Sequence, residues 1–192
     1  MKNILVLIFS CLLAFTWVSC DANKKATYEK GMAHIKNKEF AEGVACLTEA
    51  AEAGYAEAQF ELAEEYRYGN EALKSDRVAA AKWYIKAAEQ GHADAQYMAG
   101  FCYQKGLGVT EDTKKAVEWY TEAGEQNHES ALDALAFIYY TGEGGIEIND
   151  KKAIELWTKA VEFGSYNAKF FLDEIKEKGA VEYLRPELFK KN

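Results

Sequence analysis

The side chains with catalytic potential in this 192-residue chain are few, and the fragments that draw the eye lack the spacing their chemistry requires. His128-Glu129 begins like a zinc-binding helix, but the second histidine one helical turn later is missing. No Ser-x-x-Lys, Gly-x-Ser-x-Gly or Cys-x-x-Cys occurs, so acyl transfer and thiol redox chemistry have no local anchor. The glycines at 106–108 and 142–145 precede helices, yet they lack the lysine and hydroxyl of a phosphate loop and read as turn residues. Glu61, Glu64 and Glu65 sit on a helical pattern rather than in the oxygen-rich loop calcium prefers. They read as a solvated acidic face able to steer a basic partner. His92 and His128 hold equivalent turn positions where Tyr55 and Ser165 stand elsewhere, and read as variable surface residues. The reading assigns no catalytic residue, no metal ligand and no cofactor, and the expected role is binding.

Charge narrows what could be bound. Acids outnumber bases 31 to 23, a net charge of −8, which disfavours nucleic acid as a partner. The start of the chain points to export: a basic Met1-Lys2-Asn3 precedes an apolar run over 4–18, shorter than the ~20 residues a membrane span needs and suited to a secretory leader. Trp17-Val18-Ser19-Cys20 resembles the lipobox of bacterial lipoproteins, with Trp17 where leucine is usual. That resemblance implies lipidation of Cys20 and a membrane-anchored, periplasm-facing protein of the bacterial envelope; ordinary cleavage nearby, giving a soluble periplasmic or secreted protein, is the alternative. Cys11 leaves with the leader, so Cys46 and Cys102 remain, expected as buried free thiols.

The elements that position these residues are repeated. Ala-Ala-Glu-Gln-Gly-His-Ala-Asp-Ala-Gln at 87–96 has close counterparts at 50–59, 123–131 and 160–168. Gly54, Gly91, Asn127 and Gly164 mark a register with steps of 37, 36 and 37 residues, the period of a stacked helical array. With Pro186 as the single proline, the body reads as all-α. First helices begin near Ala58, Ala95, Ala131 and Ala168. The first three are expected to end at Gly69, Gly106 and Gly142, where a residue tolerant of positive φ is needed. Asp76, Asp112 and Asn149 are the expected N-caps of the second helices. Trp83-Tyr84, Trp119-Tyr120 and Leu156-Trp157 alternate with alanines there and read as the packing seam.

Ala-Gln-Tyr at 95–97, Gly106-Leu107-Gly108-Val109, Asp112, Lys115-Ala116 and Trp119-Tyr120 together resemble the Sel1-like repeat family, relatives of the tetratricopeptide repeats. The resemblance covers residues 56–165 and implies a right-handed α-solenoid of stacked helix-turn-helix repeats. The expected organisation is a signal peptide over 1–19, a lipidated linker over 20–27, a tetratricopeptide-like unit over 28–55 and Sel1-like repeats over 56–91, 92–127 and 128–164. Capping helices and a tail follow over 165–192. It also implies a non-catalytic adaptor binding another protein, with an immunity protein that neutralises a secreted toxin as one form. The alternative is a cell-wall-related hydrolase or penicillin-recognising enzyme, whose relatives carry cysteine pairs in each repeat that this chain lacks.

Positions the repeat leaves free on the first helices are expected to face a concave partner surface. They give Glu61 and Glu64 at one end, then Met98, Phe101, Phe137 and Phe171, the candidate partner-binding residues. Packing of these rings on one another is the competing expectation.

Overall fold

Each register mark of the sequence is a backbone device. Gly54, Gly91, Asn127 and Gly164 all have φ in the left-handed region, at 87°, 85°, 65° and 97°. The residue after each mark donates its backbone N–H to a carbonyl five residues back: Tyr55 to Ala50, His92 to Ala87, His128 to Ala123 and Ser165 to Ala160. The mark itself donates to the carbonyl three residues back, completing a Schellman motif at all four positions. Every second helix therefore stops by the same local bonding, and the chain re-enters a helix within a few residues.

The computed structural model describes residues 21–178. The leader expected over 1–19, the expected lipidation site Cys20 and the part of the expected C-terminal cap and tail beyond 178 lie outside the described residues. Within them, regular structure is helical. Helix α1 covers 21–36, and α2 (Phe40–Glu52), α3 (Ala56–Tyr68), α4 (Arg77–Ala88) and α5 (Ala93–Lys105) follow. The series continues with α6 (Thr113–Glu125), α7 (Glu129–Thr141), α8 (Asp150–Glu162) and α9 (Tyr166–Lys178). They form two compact units, α1–α4 ending at His92 and α5–α9 beginning at Ala93.

Helix ends follow the local chemistry of the sequence. Gly69, Gly106 and Gly142 have φ of 73°, 64° and 74°. The Asp76 carboxylate accepts from the N–H groups of Val78 and Ala79, Asp112 from Lys115 and Asn149 from Lys152. The three capping residues also donate their own N–H to the carbonyls of Tyr66, Tyr103 and Tyr139. These bonds tie each interhelix loop back to the helix it leaves.

Alanine sets the spacing. Ala58, Ala63, Ala81 and Ala87 are fully buried in the first unit, as are Ala95, Ala99, Ala116, Ala123, Ala153 and Ala160 in the second. Small side chains let helix axes approach, and one large ring on each of α4, α6 and α8 fills the remaining space: Tyr84, Tyr120 and Trp157 are all buried. Their neighbours Trp83 and Trp119 sit at the edge of the seam, half-buried, with the Lys86 ammonium 4.2 Å from the Trp83 ring centroid. Cys46, at the Trp83-equivalent position, is likewise half-buried rather than buried, because that position lies on the rim of the helix face. Cys102 is buried, and neither thiol is in a disulfide.

Candidate functional site

At the register marks Gly91 and Asn127, the residue after the mark and the ring two places beyond the first-helix alanine meet in space. In the first unit His92 stacks on Phe60 with ring centroids 4.8 Å apart, and Phe60 leans on Tyr84 at 5.9 Å. In the second unit His128 stacks on Tyr97 at 4.9 Å, and Tyr97 leans on Tyr120 at 5.8 Å. The His128 ring also caps α7, its Nδ1 accepting from the Ala131 N–H, while Nε2 meets Asp94 Oδ1 at 3.1 Å. These histidines are packing elements that plug their repeats, and not the variable surface residues the sequence suggested. Their neighbouring turns hid that role: Tyr55 also packs its ring, against Tyr28 at 5.3 Å, but Ser165 carries none.

The third repeat breaks the pattern. Asp133 stands where Phe60 and Tyr97 stand, and Ser165 stands where the two histidines stand. Without the paired rings a half-open hollow of about 430 Å³ remains between α5, α7 and α9. Phe101, Phe137 and Phe171 form its apolar wall, and Asp133, Glu129 and Ser130 line it with the turn from Gly164 to Asn167. Phe137 is 40% exposed, with its ring centroid 6.2 Å from that of Phe171. Phe171 in turn stacks on the buried Trp157 at 5.1 Å, and Phe101 packs against the cluster around Tyr120.

Asp133 is the polar feature of this hollow. Its Oδ1 accepts the Trp157 indole N–H at 2.8 Å. Burial raises its pKa above the ordinary carboxylate range, while hydrogen bonds from Trp157 and Asn167 pull it back. The cation at the rim, Lys105, pairs with Glu143 at 3.1 Å, and Gln104 donates to the same carboxylate at 2.7 Å. Gln104 also accepts from the Tyr120 hydroxyl at 2.9 Å. Burial first, then the charges of Tyr97 and Glu143, keep that phenol protonated well beyond its usual range. Lys105 thus answers Glu143, and the carboxylates of Asp133 and Glu129 set the sign of the hollow.

The structure brings Phe101, Phe137 and Phe171 to one hollow and gives the other candidates different settings. Met98 is only 8% exposed and belongs to the core. Glu61 and Glu64 lie on α3 in the first unit and are half-buried. Glu64 faces inward: it accepts from the Tyr84 hydroxyl and pairs with Arg67 at 3.2 Å. Burial, and after it the bond to Glu64, holds the Tyr84 phenol far above its usual pKa. Beside Glu64 and Glu65 a second hollow of about 410 Å³ carries the exposed Tyr68. Among the described residues no group of three His, Cys, Asp or Glu side chains could hold a metal ion, and no helix is long and apolar enough to cross a membrane.

The repeat geometry agrees with comparison to known proteins. The Sel1 repeat model matches three times, over residues 56–92, 93–128 and 130–164, so the chain belongs to the Sel1 repeat family. A Sel1 repeat protein from Oxalobacter formigenes is 30% identical, with 84% of this chain and 68% of that one aligned and a TM-score of 0.78. The protective antigen c5321 of uropathogenic Escherichia coli, which displays an SLR fold, is 26% identical with a TM-score of 0.61. The match covers 83% of this chain but 42% of the antigen. Cysteine rich protein B of Helicobacter pylori is 25% identical over 64% of this chain and 91% of that one, with a TM-score of 0.50. A comparison with curated proteins gives no match. Proteins built from Sel1 repeats generally serve as scaffolds that bind other proteins.

Proposed function

We propose that this chain is a non-catalytic binding scaffold of the bacterial cell envelope, held to a membrane through lipid on Cys20, that docks a protein partner in the hollow between α5, α7 and α9. The observation that carries this reading is the hollow itself. An accessible phenylalanine, two half-buried ones and an aspartate converge where the preceding repeat closes the same place with its own rings. Exposed aromatic surface around a polar anchor is the usual composition of a protein-binding hot spot.

Phe137→Ser is the direct test. The ring is 40% exposed, so stability should fall by only about 1–2 kcal/mol by urea unfolding, while partner binding from envelope extracts is lost. Unchanged capture by that variant would end the reading. Envelope anchoring rests on the apolar leader and the Ser19-Cys20 pair. Cys20→Ser should move the protein from the membrane fraction to the soluble one, and a variant that stays with the membrane would refute the lipid anchor. Neutralising a secreted toxin is one form this scaffold role takes in the family, and the acidic body suits a basic toxin. Turnover of a β-lactam or of peptidoglycan by the purified chain would replace the scaffold with the hydrolase alternative.

A further inference from the structure

The occupant of the hollow is legible from what fills its equivalents. In the two preceding repeats the space is closed by a planar nitrogen-bearing ring, His92 or His128, lying flat on the aromatic side chain of the first helix. In the third repeat both partners of that stack are gone, and a carboxylate takes the place of the aromatic ring. The vacated volume keeps apolar walls in the rings of Phe137 and Phe171, tilted 49° to each other, and gains a carboxylate floor in Asp133. Trp157 fixes the orientation of that carboxylate through the indole N–H bond at 2.8 Å. A planar cation satisfies all three features at once.

Resting on the scaffold reading above, we infer that the hollow receives an arginine side chain presented by the protein partner. Its guanidinium would lie against Phe137 and Phe171 and hydrogen-bond to Asp133. Arginine stacks on aromatic faces and pairs with carboxylates through a rigid fork of donors, whereas the ammonium of lysine is a strongly hydrated point charge without a flat face. Charge favours the same occupant. The chain carries a net −8, Glu129 adds a second carboxylate to the lining, and Lys105 is paired with Glu143. The raised pKa of Asp133 is consistent with a carboxylate that gains from a cationic partner.

The Trp157 indole N–H reports on the site directly, because it donates to the oxygen-bearing group the arginine would engage. The experiment titrates the full-length chain with three capped tripeptides, glycine-X-glycine, where X is arginine, lysine or citrulline, and follows the indole cross-peak in a nitrogen–proton correlation spectrum. The arginine peptide should shift that peak saturably. Citrulline has nearly the shape of arginine without its charge, and should bind about tenfold or more weakly, with lysine in between. Asp133→Asn keeps an acceptor for Trp157 and should remove the preference for arginine over citrulline.

Equal affinity for arginine and citrulline, or an indole peak that stays still at saturating arginine peptide, overturns the inference. Failure here is separable from failure of the scaffold role. Partner capture that depends on Phe137 but not on Asp133 leaves the scaffold standing with an apolar occupant, whereas capture indifferent to Phe137 removes the scaffold itself.

Discussion

Trp157→Ala is expected to destabilise the protein by about 3–5 kcal/mol, the range for deleting a large aromatic side chain from a packed core. The ring is fully buried, with Tyr140 of α7 at 5.3 Å and Phe171 of α9 stacked at 5.1 Å. Its removal opens a cavity shared by three helices and deprives Asp133 of its indole donor in a partly desolvated setting. Since a domain's whole stability is about 5–15 kcal/mol, the loss is a large share of it. Hydrogen exchange should show α7, α8 and α9 losing protection first, and urea unfolding should give the magnitude. Trp157→Phe restores most of the volume but not the donor, so it should fall between the variant and the parent. A Trp157→Ala protein within 1 kcal/mol of the parent would contradict the role assigned to this ring.

Asp133→Asn should act in the opposite direction at neutral pH and raise the melting temperature. The folded state holds the Asp133 carboxyl above its ordinary pKa because burial penalises the charge. A group whose pKa is raised on folding favours the folded state most below the unfolded pKa, and that contribution disappears as pH rises through the folded value. The parent therefore bears the penalty of a desolvated charge at pH 7. The variant does not, and its amide oxygen can still accept from Trp157. The difference between the two proteins should be largest at neutral pH and should shrink to nothing in acid, below the ordinary carboxylate range. A melting temperature that falls at pH 7 would show that the charged carboxylate stabilises this site. A side chain retained against stability is the signature expected of a binding residue.

The periodic parts of the chain were legible in sequence because each is fixed by local chemistry. Gly69, Gly106 and Gly142 adopt the positive φ their position required, and Asp76, Asp112 and Asn149 accept the hydrogen bonds their side chains are built for. Tyr84, Tyr120 and Trp157 occupy the seam that alanine spacing announced. Phe101, Phe137 and Phe171 were found by subtracting the repeat from the first helices. The same subtraction also selected Met98, which is core, since helical phase alone does not tell how deeply a neighbouring helix covers a face.

Asp133 and the two histidines were missed for a different reason: their meaning lies in contacts between one repeat's first helix and the turn that ends it. His92 lies 32 positions after Phe60, and His128 31 after Tyr97. Once both stacked pairs are known, the signal is visible in the aligned sequence, as a ring and a histidine in two repeats against an aspartate and a serine in the third. Periodicity reveals what repeats, and the site lies where the repetition lapses.

The bonding that closes each turn involves backbone atoms of that turn alone and makes no demand on the side chain that follows the left-handed residue. That position therefore carries a tyrosine, two histidines and a serine on the same joint. A repeat can be shut by a ring pair or left open by a serine and an acid, with the same backbone bonding. Whether a repeat is open or closed thus turns on two side chains borne by an otherwise uniform joint.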